Sequence, residues 1–256
     1  MYAEPDHIVR PAIDGGRPPC APLDFALSPE TLAANMVVGF ERMNSRVHPF
    51  FVMRSRLLKH ARATGQRVFA VTSVQPGDGK THVSVNLAAA LSRIYPTVLV
   101  ELDLHWPSVS RRLGLPPVRR GIDDFLAGEA GWRETGLKCQ ASDLTIHPVR
   151  EHRPDAEDLL ASPRLAEFLQ DLRSDGSDPI CLIDTPPALV NDDLMLIARA
   201  VDGVLMVVCE AKTRSPALRE TINALNPKPI VGTILNMSIS SLRSESDYGS
   251  YYNRSE

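Results

Sequence analysis

Six short apolar runs punctuate the chain: RVFAVTS (67–73), TVLVELD (97–103), LTIHPV (144–149), ICLIDT (180–185), GVLMVVCE (203–210) and IVGTILN (230–236). Each is rich in β-branched residues and nearly continuous in its hydrophobicity rather than alternating, the mark of strands buried on both faces. Amphipathic stretches separate most of them. Strands and helices taken in turn predict an α/β fold, a doubly wound, mostly parallel sheet flanked by helices in a single domain, with any ligand at the carboxyl ends of the strands. Before the first run, SPETLAANMVVGFERM predicts a short helix with Ser28 as N-cap and Pro29 at N1. A second helix is expected over residues 50–63. Residues 1–45 read as a proline-rich, largely irregular N-terminal arm and 46–240 as the folded domain. The stretch 241–256 is polar, without an aliphatic residue after Leu242, and reads as a disordered tail.

Composition narrows the function without naming it. A chain of 256 residues with a net charge of −3 carries no overall basic field, so nucleic acid is not an expected partner. No apolar run approaches the ~18 residues that span a bilayer, and the opening MYAEPDHIVRP lacks the layout of a signal peptide. A cytoplasmic location is the expectation. Cys20, Cys139, Cys181 and Cys209 have no metal-ligand spacing and read as reduced, structural residues. The seven histidines show no HxxxH pairing and no cysteine neighbour, which argues against a transition-metal site.

The chemistry is concentrated in VTSVQPGDGKT (71–81). Against the phosphate-loop pattern GxxxxGK[ST], Val74 stands at the first glycine, while Gly79, Lys80 and Thr81 match. A strand precedes the loop and a helix, KTHVSVNLAAALSRI, follows it. Gly77 and Gly79 let backbone amides converge on an anion, and the helix N-terminus adds its positive dipole. Lys80 reaches the terminal phosphates and Thr81 ligates Mg²⁺. Pro76, Gly77, Asp78, Gly79, Lys80, Thr81 and His82 are thus the candidate nucleotide contacts, with Asn236, ending the last strand, as a candidate for the adenine. VLVELD delivers Glu101 and Asp103 at a strand end, and ICLIDTPP delivers Asp184. A parallel sheet sets both ends beside the loop, where carboxylates hold Mg²⁺ or orient a nucleophile. Capping is a poor account of Asp184, because Thr-Pro-Pro follows it. ATP with Mg²⁺ is the expected ligand.

TSVQPGDGKT, VLVELDLHWPS and ICLIDTPP resemble the Walker A, A′ and B motifs of the bacterial tyrosine kinases, the BY-kinases of capsule and exopolysaccharide synthesis (CpsD/CapB type). The resemblance runs over residues 49–237 and includes GIDDFLAGE, LLASPRLAEFLQDLR and VDGVLMVVCEAKTRSPALRETINAL. Three of the five tyrosines, Tyr248, Tyr251 and Tyr252, cluster near the end of the chain, as in that family. Pro76 is also similar to those kinases, whereas the MinD/ParA positioning ATPases carry a signature lysine that this loop lacks.

The resemblance implies a P-loop NTPase fold and phosphoryl transfer from ATP to tail tyrosines of a neighbouring subunit, with Tyr248, Tyr251 and Tyr252 as phosphoacceptors. Lys80 would hold the β- and γ-phosphates, Thr81 and Asp184 the Mg²⁺, Asp103 the metal shell, and Glu101 would orient or deprotonate the phenol. It further implies a homo-oligomer, docking on the cytosolic tail of a membrane-spanning polysaccharide copolymerase and a counteracting tyrosine phosphatase. The chain departs from the family at Glu101, where aspartate is usual, at His105, where arginine is usual, and at Trp106, where a basic residue is common. Of the Glu and two Arg associated with ring assembly, the corresponding His48, Phe51 and Arg54 preserve only the last. Two other readings stand beside the kinase: a nucleotide-binding adaptor (pseudokinase) of the copolymerase complex, and a MinD/ParA-like ATPase.

Overall fold

The computed structural model describes residues 23–174 and 176–238. In chain order the elements are β1 (Leu23–Phe25), α1 (Pro29–Ala34), α2 (His48–Thr64), β2 (Val68–Ser73), α3 (Lys80–Ser92), β3 (Thr97–Glu101), α4 (Val109–Leu113), α5 (Ile122–Leu126), β4 (Leu137–Cys139), β5 (Leu144–His147), α6 (Ala156–Ala161), α7 (Arg164–Ser174), β6 (Ile180–Asp184), α8 (Asp193–Ala200), β7 (Gly203–Cys209), α9 (Ser215–Leu225) and β8 (Ile230–Asn236). The strands form one sheet ordered β1-β4-β5-β3-β6-β2-β7-β8. Every neighbouring pair is parallel except β4 with β5.

All six strands expected from the apolar runs are present, and the reason for their continuous hydrophobicity is visible in β2. Val68 and Ala70 face one core with Phe168, Leu194 and Met206. Phe69 and Val71 face the other with Leu57, Leu87, Leu91 and Leu182. A strand with a helical layer on each side has no polar face to show. Helices α2 and α3 cover the second face, and α5 to α8 the first. Helix α1 starts as its sequence directs: Ser28 Oγ accepts from Thr31 N at 3.2 Å and Pro29 occupies N1.

From Leu23 onward the stretch expected as an irregular arm holds β1 and the expected short helix, with turns and loops for the rest, and it is packed onto the domain. Strand β1 pairs with β4 at the sheet edge, and Phe25, Val37, Val38 and Val47 are buried. Asn86 of α3 fixes this segment, its Oδ1 accepting from Val38 N at 2.7 Å and Gly39 N at 2.9 Å. Strands β1 and β4 are three residues each, LDF and LKC, too short to carry a pattern. Among the described residues no helix is long and apolar enough to cross a membrane.

Candidate nucleotide site

The order β3-β6-β2 brings three carboxyl ends together at one rim. Asp184 at the end of β6 is in register with Val71 of β2 on one side and Glu101 of β3 on the other. From β2 the chain passes through the glycine loop into α3, whose first residue is Lys80. Gly77 and Gly79 have φ of +78° and +93°, left-handed values that favour glycine. At Gly79 space is decisive as well, since a Cβ there would lie 2.0 Å from Asn236 Nδ2. Val74, at the missing glycine of the motif, is fully buried in the core, so that position serves packing.

Lys80 is caged by acids. Its Nζ lies 2.7 Å from Asp103 Oδ2 and 3.9 Å from Asp184 Oδ2. Burial pulls its pKa down, but the charges of Asp184, Asp103 and Glu101 and the bond to Asp103 outweigh that and hold it above the ordinary lysine value. Thr81 Oγ1 donates to Asp184 Oδ2 at 2.8 Å and Ser84 Oγ to Asp184 Oδ1 at 2.9 Å. Burial pushes the Asp184 carboxyl up, and Lys80, Thr81 and Ser84 oppose it. Asp103 uses its other oxygen to accept from Trp106 N at 3.1 Å. A cleft of about 360 Å³ opens here, lined by Pro76, Gly77, Lys80, Asp103, Trp106, Pro187 and Val190.

Lys80, Thr81, Asp103 and Asp184 are therefore brought together as expected; other candidates are not. Glu101 was expected to meet the phenol, yet it is fully buried and faces backbone. Its Oε1 accepts from the amides of Ser108 and Val109, and its Oε2 from Val149 N at 3.1 Å. Both oxygens are engaged, so Glu101 is corrected from proton acceptor to clamp of the loop after β3. Burial raises its pKa to about 7 against the pull of those three amides. The His82 side chain turns away from the cleft, which leaves its backbone amide in the first turn of α3 as the candidate contact: its ring meets Phe50 edge-on at 5.8 Å, it approaches Asn86 Nδ2 at 3.3 Å, and burial lowers its pKa. Asn236 is engaged with the loop, its Nδ2 donating to Asp78 O at 2.8 Å.

Asp78 braces the loop from within rather than facing the cleft. Its Oδ2 accepts from Thr213 Oγ1 at 3.1 Å, and its Oδ1 is 3.3 Å from Lys212 Nζ, which also donates to Pro76 O at 2.7 Å. Lys212 and Thr213, after β7, are neighbours of the site that the sequence reading missed, as are Ser84 and Ser108, whose hydroxyls donate to Asp184 and Thr81. The order β2-β7 is what puts them on the loop, and no local motif marks them. His105 Nε2 lies 3.4 Å from Asp193 Oδ2. Arg54 of α2 donates to Ala90 O at 3.1 Å and stacks on Phe51 at 4.2 Å, so it is engaged within the chain. Among the described residues no group of three or more His, Cys, Asp or Glu is arranged to hold a metal. Tyr248, Tyr251 and Tyr252 lie outside the described residues.

No protein-family model matches the chain. The succinoglycan biosynthesis transport protein ExoP of Rhizobium meliloti is 30% identical over an alignment 205 residues long that covers 73% of this chain and 25% of ExoP. The tyrosine-protein kinase CpsD of Streptococcus agalactiae is 24% identical over 191 residues, 73% of this chain and 82% of CpsD. The chain thus spans a quarter of the length of one relative and most of the other. Among solved structures, the kinase domain of VpsO is 31% identical with a TM-score of 0.67, covering 81% of this chain and 95% of that one. The mostly parallel sheet, the phosphate loop and the acids at the ends of β3 and β6 are accordingly those of the BY-kinase, P-loop fold, and the chain belongs to the bacterial tyrosine kinase family.

Proposed function

We propose that this chain is an ATP- and Mg²⁺-dependent protein-tyrosine autokinase that regulates the polymerisation or export of an exopolysaccharide or capsule. The observation that carries this reading is the cage of Lys80 between Asp103 and Asp184, with the Thr81 hydroxyl on the same Asp184 oxygen. Thr81 and Asp184 form an oxygen-only donor pair suited to Mg²⁺, which keeps several waters and takes phosphate oxygens as further ligands. Bound there, Mg²⁺ would neutralise charge on the phosphates.

The chain's own residues do the rest by position. Amides of the loop and of the first turn of α3 receive the phosphates. Lys80 turns from Asp103 to the β- and γ-phosphates, which frees Asp103 Oδ2. The phenol oxygen of a tail tyrosine attacks the γ-phosphorus, and the bond from that phosphorus to the β–γ bridging oxygen breaks. ADP leaves with the electron pair, and the phenol proton passes to Asp103. Asp103 takes this role, and Glu101 does not, because Asp103 lines the cleft while both oxygens of Glu101 are bound to amides. A phenol pKa near ~10 makes an acceptor for that proton useful. Tyr248, Tyr251 and Tyr252 are the proposed acceptors, offered from one copy to another in a homo-oligomer.

Relatives named for succinoglycan biosynthesis transport and for tyrosine kinase activity support the link to polysaccharide export; the proposed setting is the cytoplasm beside a membrane-spanning polysaccharide copolymerase, with a tyrosine phosphatase reversing the modification. The test is incubation of the purified chain with Mg²⁺ and γ-labelled ATP, followed by mass spectrometry. Label is expected on the tail tyrosines and absent from Lys80→Met. Tight ATP binding with no label on any residue would instead make the chain a nucleotide-gated adaptor. That second reading draws on the engagement of Glu101 with backbone amides and of His105 with Asp193.

A further inference from the structure

The chain has two tryptophans, and they are treated in opposite ways. Trp132 stacks edge-on against Phe168 at 5.6 Å and donates Nε1 to Asp171 at 2.9 Å. Trp106 is 66% exposed, at the mouth of the phosphate cleft. Its backbone is nonetheless fixed: Trp106 N donates to Asp103 Oδ1, Pro107 follows, and the His105 ring lies 5.7 Å away at 49°. Pro187 and Val190 line the same cleft, and Val190 and Leu189 are each 42% exposed. Exposed apolar groups gathered beside a polar site mark a surface that is covered in use.

We propose that Trp106, with Pro187 and Val190, is the shelf that receives the aromatic ring of the tail tyrosine; the inference rests on the kinase reading above. Three observations select that occupant. First, the shelf stands at the Lys80–Asp103 end of the loop, where the terminal phosphate and not the base belongs. Second, the carboxylate that anchors the Trp106 backbone is the proposed proton acceptor, so ring shelf and acceptor move as one unit. Third, β8 ends at the loop itself, with Met237 Cε 3.9 Å from where a Gly79 Cβ would lie. The sequence from Ser238 onward therefore starts at this rim in each copy, and the ten residues to Tyr248 span up to ~35 Å when extended, which is the reach over which one copy's tail can meet the shelf of its neighbour in the proposed homo-oligomer.

A shelf of this kind also sorts residues. Serines such as Ser250 sit among the tail tyrosines, and a flat apolar surface favours an aromatic ring while offering a serine little contact.

Two experiments on the full chain test the inference. With Trp132→Phe leaving Trp106 as the sole tryptophan, a peptide of residues 243–256 is expected to change its fluorescence saturably. The same peptide with leucine at the three tyrosine positions is expected not to. In the otherwise natural chain, Trp106→Ala is expected to raise the KM for the tyrosine peptide about fivefold or more with the KM for ATP unchanged, and Trp106→Phe to restore it to within about twofold. An unchanged peptide KM in Trp106→Ala overturns the shelf, as does a fluorescence response to ADP alone, which would assign the surface to the base. Saturable peptide binding without phosphate transfer by the unsubstituted protein overturns the kinase reading and upholds the shelf, so the two fail separately.

Discussion

Glu101 and Asp103 are two residues apart, and strict alternation along a strand would send both side chains to the same face. The strand β3 ends at Glu101, however, and the alternation ends with it. That is why the sequence puts both acids in the site while the structure puts only Asp103 there; Lys80, Thr81 and Asp184 were legible because loop, helix start and strand end leave them no other direction. The engagement of Glu101 has a measurable consequence. Burial lifts its pKa from 4.5 to about 7. Between those values the folded chain holds a proton that the unfolded chain has released, so this residue's contribution to stability falls as pH rises from 4.5 to 7 and levels off above. The span corresponds to about 3 kcal/mol at most. Glu101→Gln keeps a carbonyl for Ser108 and Val109 and removes the titration. Urea unfolding at a series of pH values should show the variant gaining on the natural protein across that window, with no further gain above pH ~7. Glu101→Ala leaves three amides without an acceptor and should lose stability at every pH, by about 3 kcal/mol or more.

At the scale of elements, the strands that could be read were those with two buried faces, because unbroken hydrophobicity over so short a run fits a strand covered on both sides and little else. The strands that could not be read, β1 at the sheet edge and β4 beside it, are three-residue pieces with a charged residue in the middle, Asp24 and Lys138. Their existence follows from long-range docking. Residues 36–40 lie on α3 through Asn86, which is fully buried and accepts from two amides of that segment. Nothing within residues 23–47 announces this; the determinant sits some fifty positions downstream. Gly39 shows how close the approach is, since a Cβ there would come within 2.2 Å of Asn86 O. Asn86→Ala should therefore cost about 2–4 kcal/mol through two buried, unpaired N–H groups. For a chain of this size that lowers the Tm by roughly 5–15 °C. Limited proteolysis offers a sharper check, with new cleavage expected between residues 36 and 47. Loss of Tm without new cleavage there would mean that the segment stays docked by its apolar contacts alone.

Across the whole molecule, the candidate nucleotide groups gather on one rim of an eight-stranded sheet, at the ends of β2, β3 and β6, with the loop after β7 bracing them. The phosphate loop is tied to that rim from several directions, by Lys212 and Thr213 after β7 and by Asn236 at the end of β8. The β1-β4-β5 flank contributes no side chain to the cleft. Nucleotide binding should stabilise the fold by mass action, about 2.7 kcal/mol at a hundredfold excess over Kd. That amounts to a Tm rise of roughly 5–10 °C, and Lys80→Met or Asp184→Asn should abolish most of it. Trp106→Ala should leave it intact, because the shelf lies beyond the phosphates. The distribution of the effect is more telling than its size. Amide hydrogen exchange with and without Mg²⁺-ATP should slow at residues 74–81, 102–109, 185–190 and 210–213, which are the loops that touch the cleft or brace its floor. Exchange in β1 and β4 should change little. Equal protection on that distant flank would show that nucleotide tightens the entire sheet, and the loop latch around Asp78 would then be a relay to the fold rather than a brace for the site.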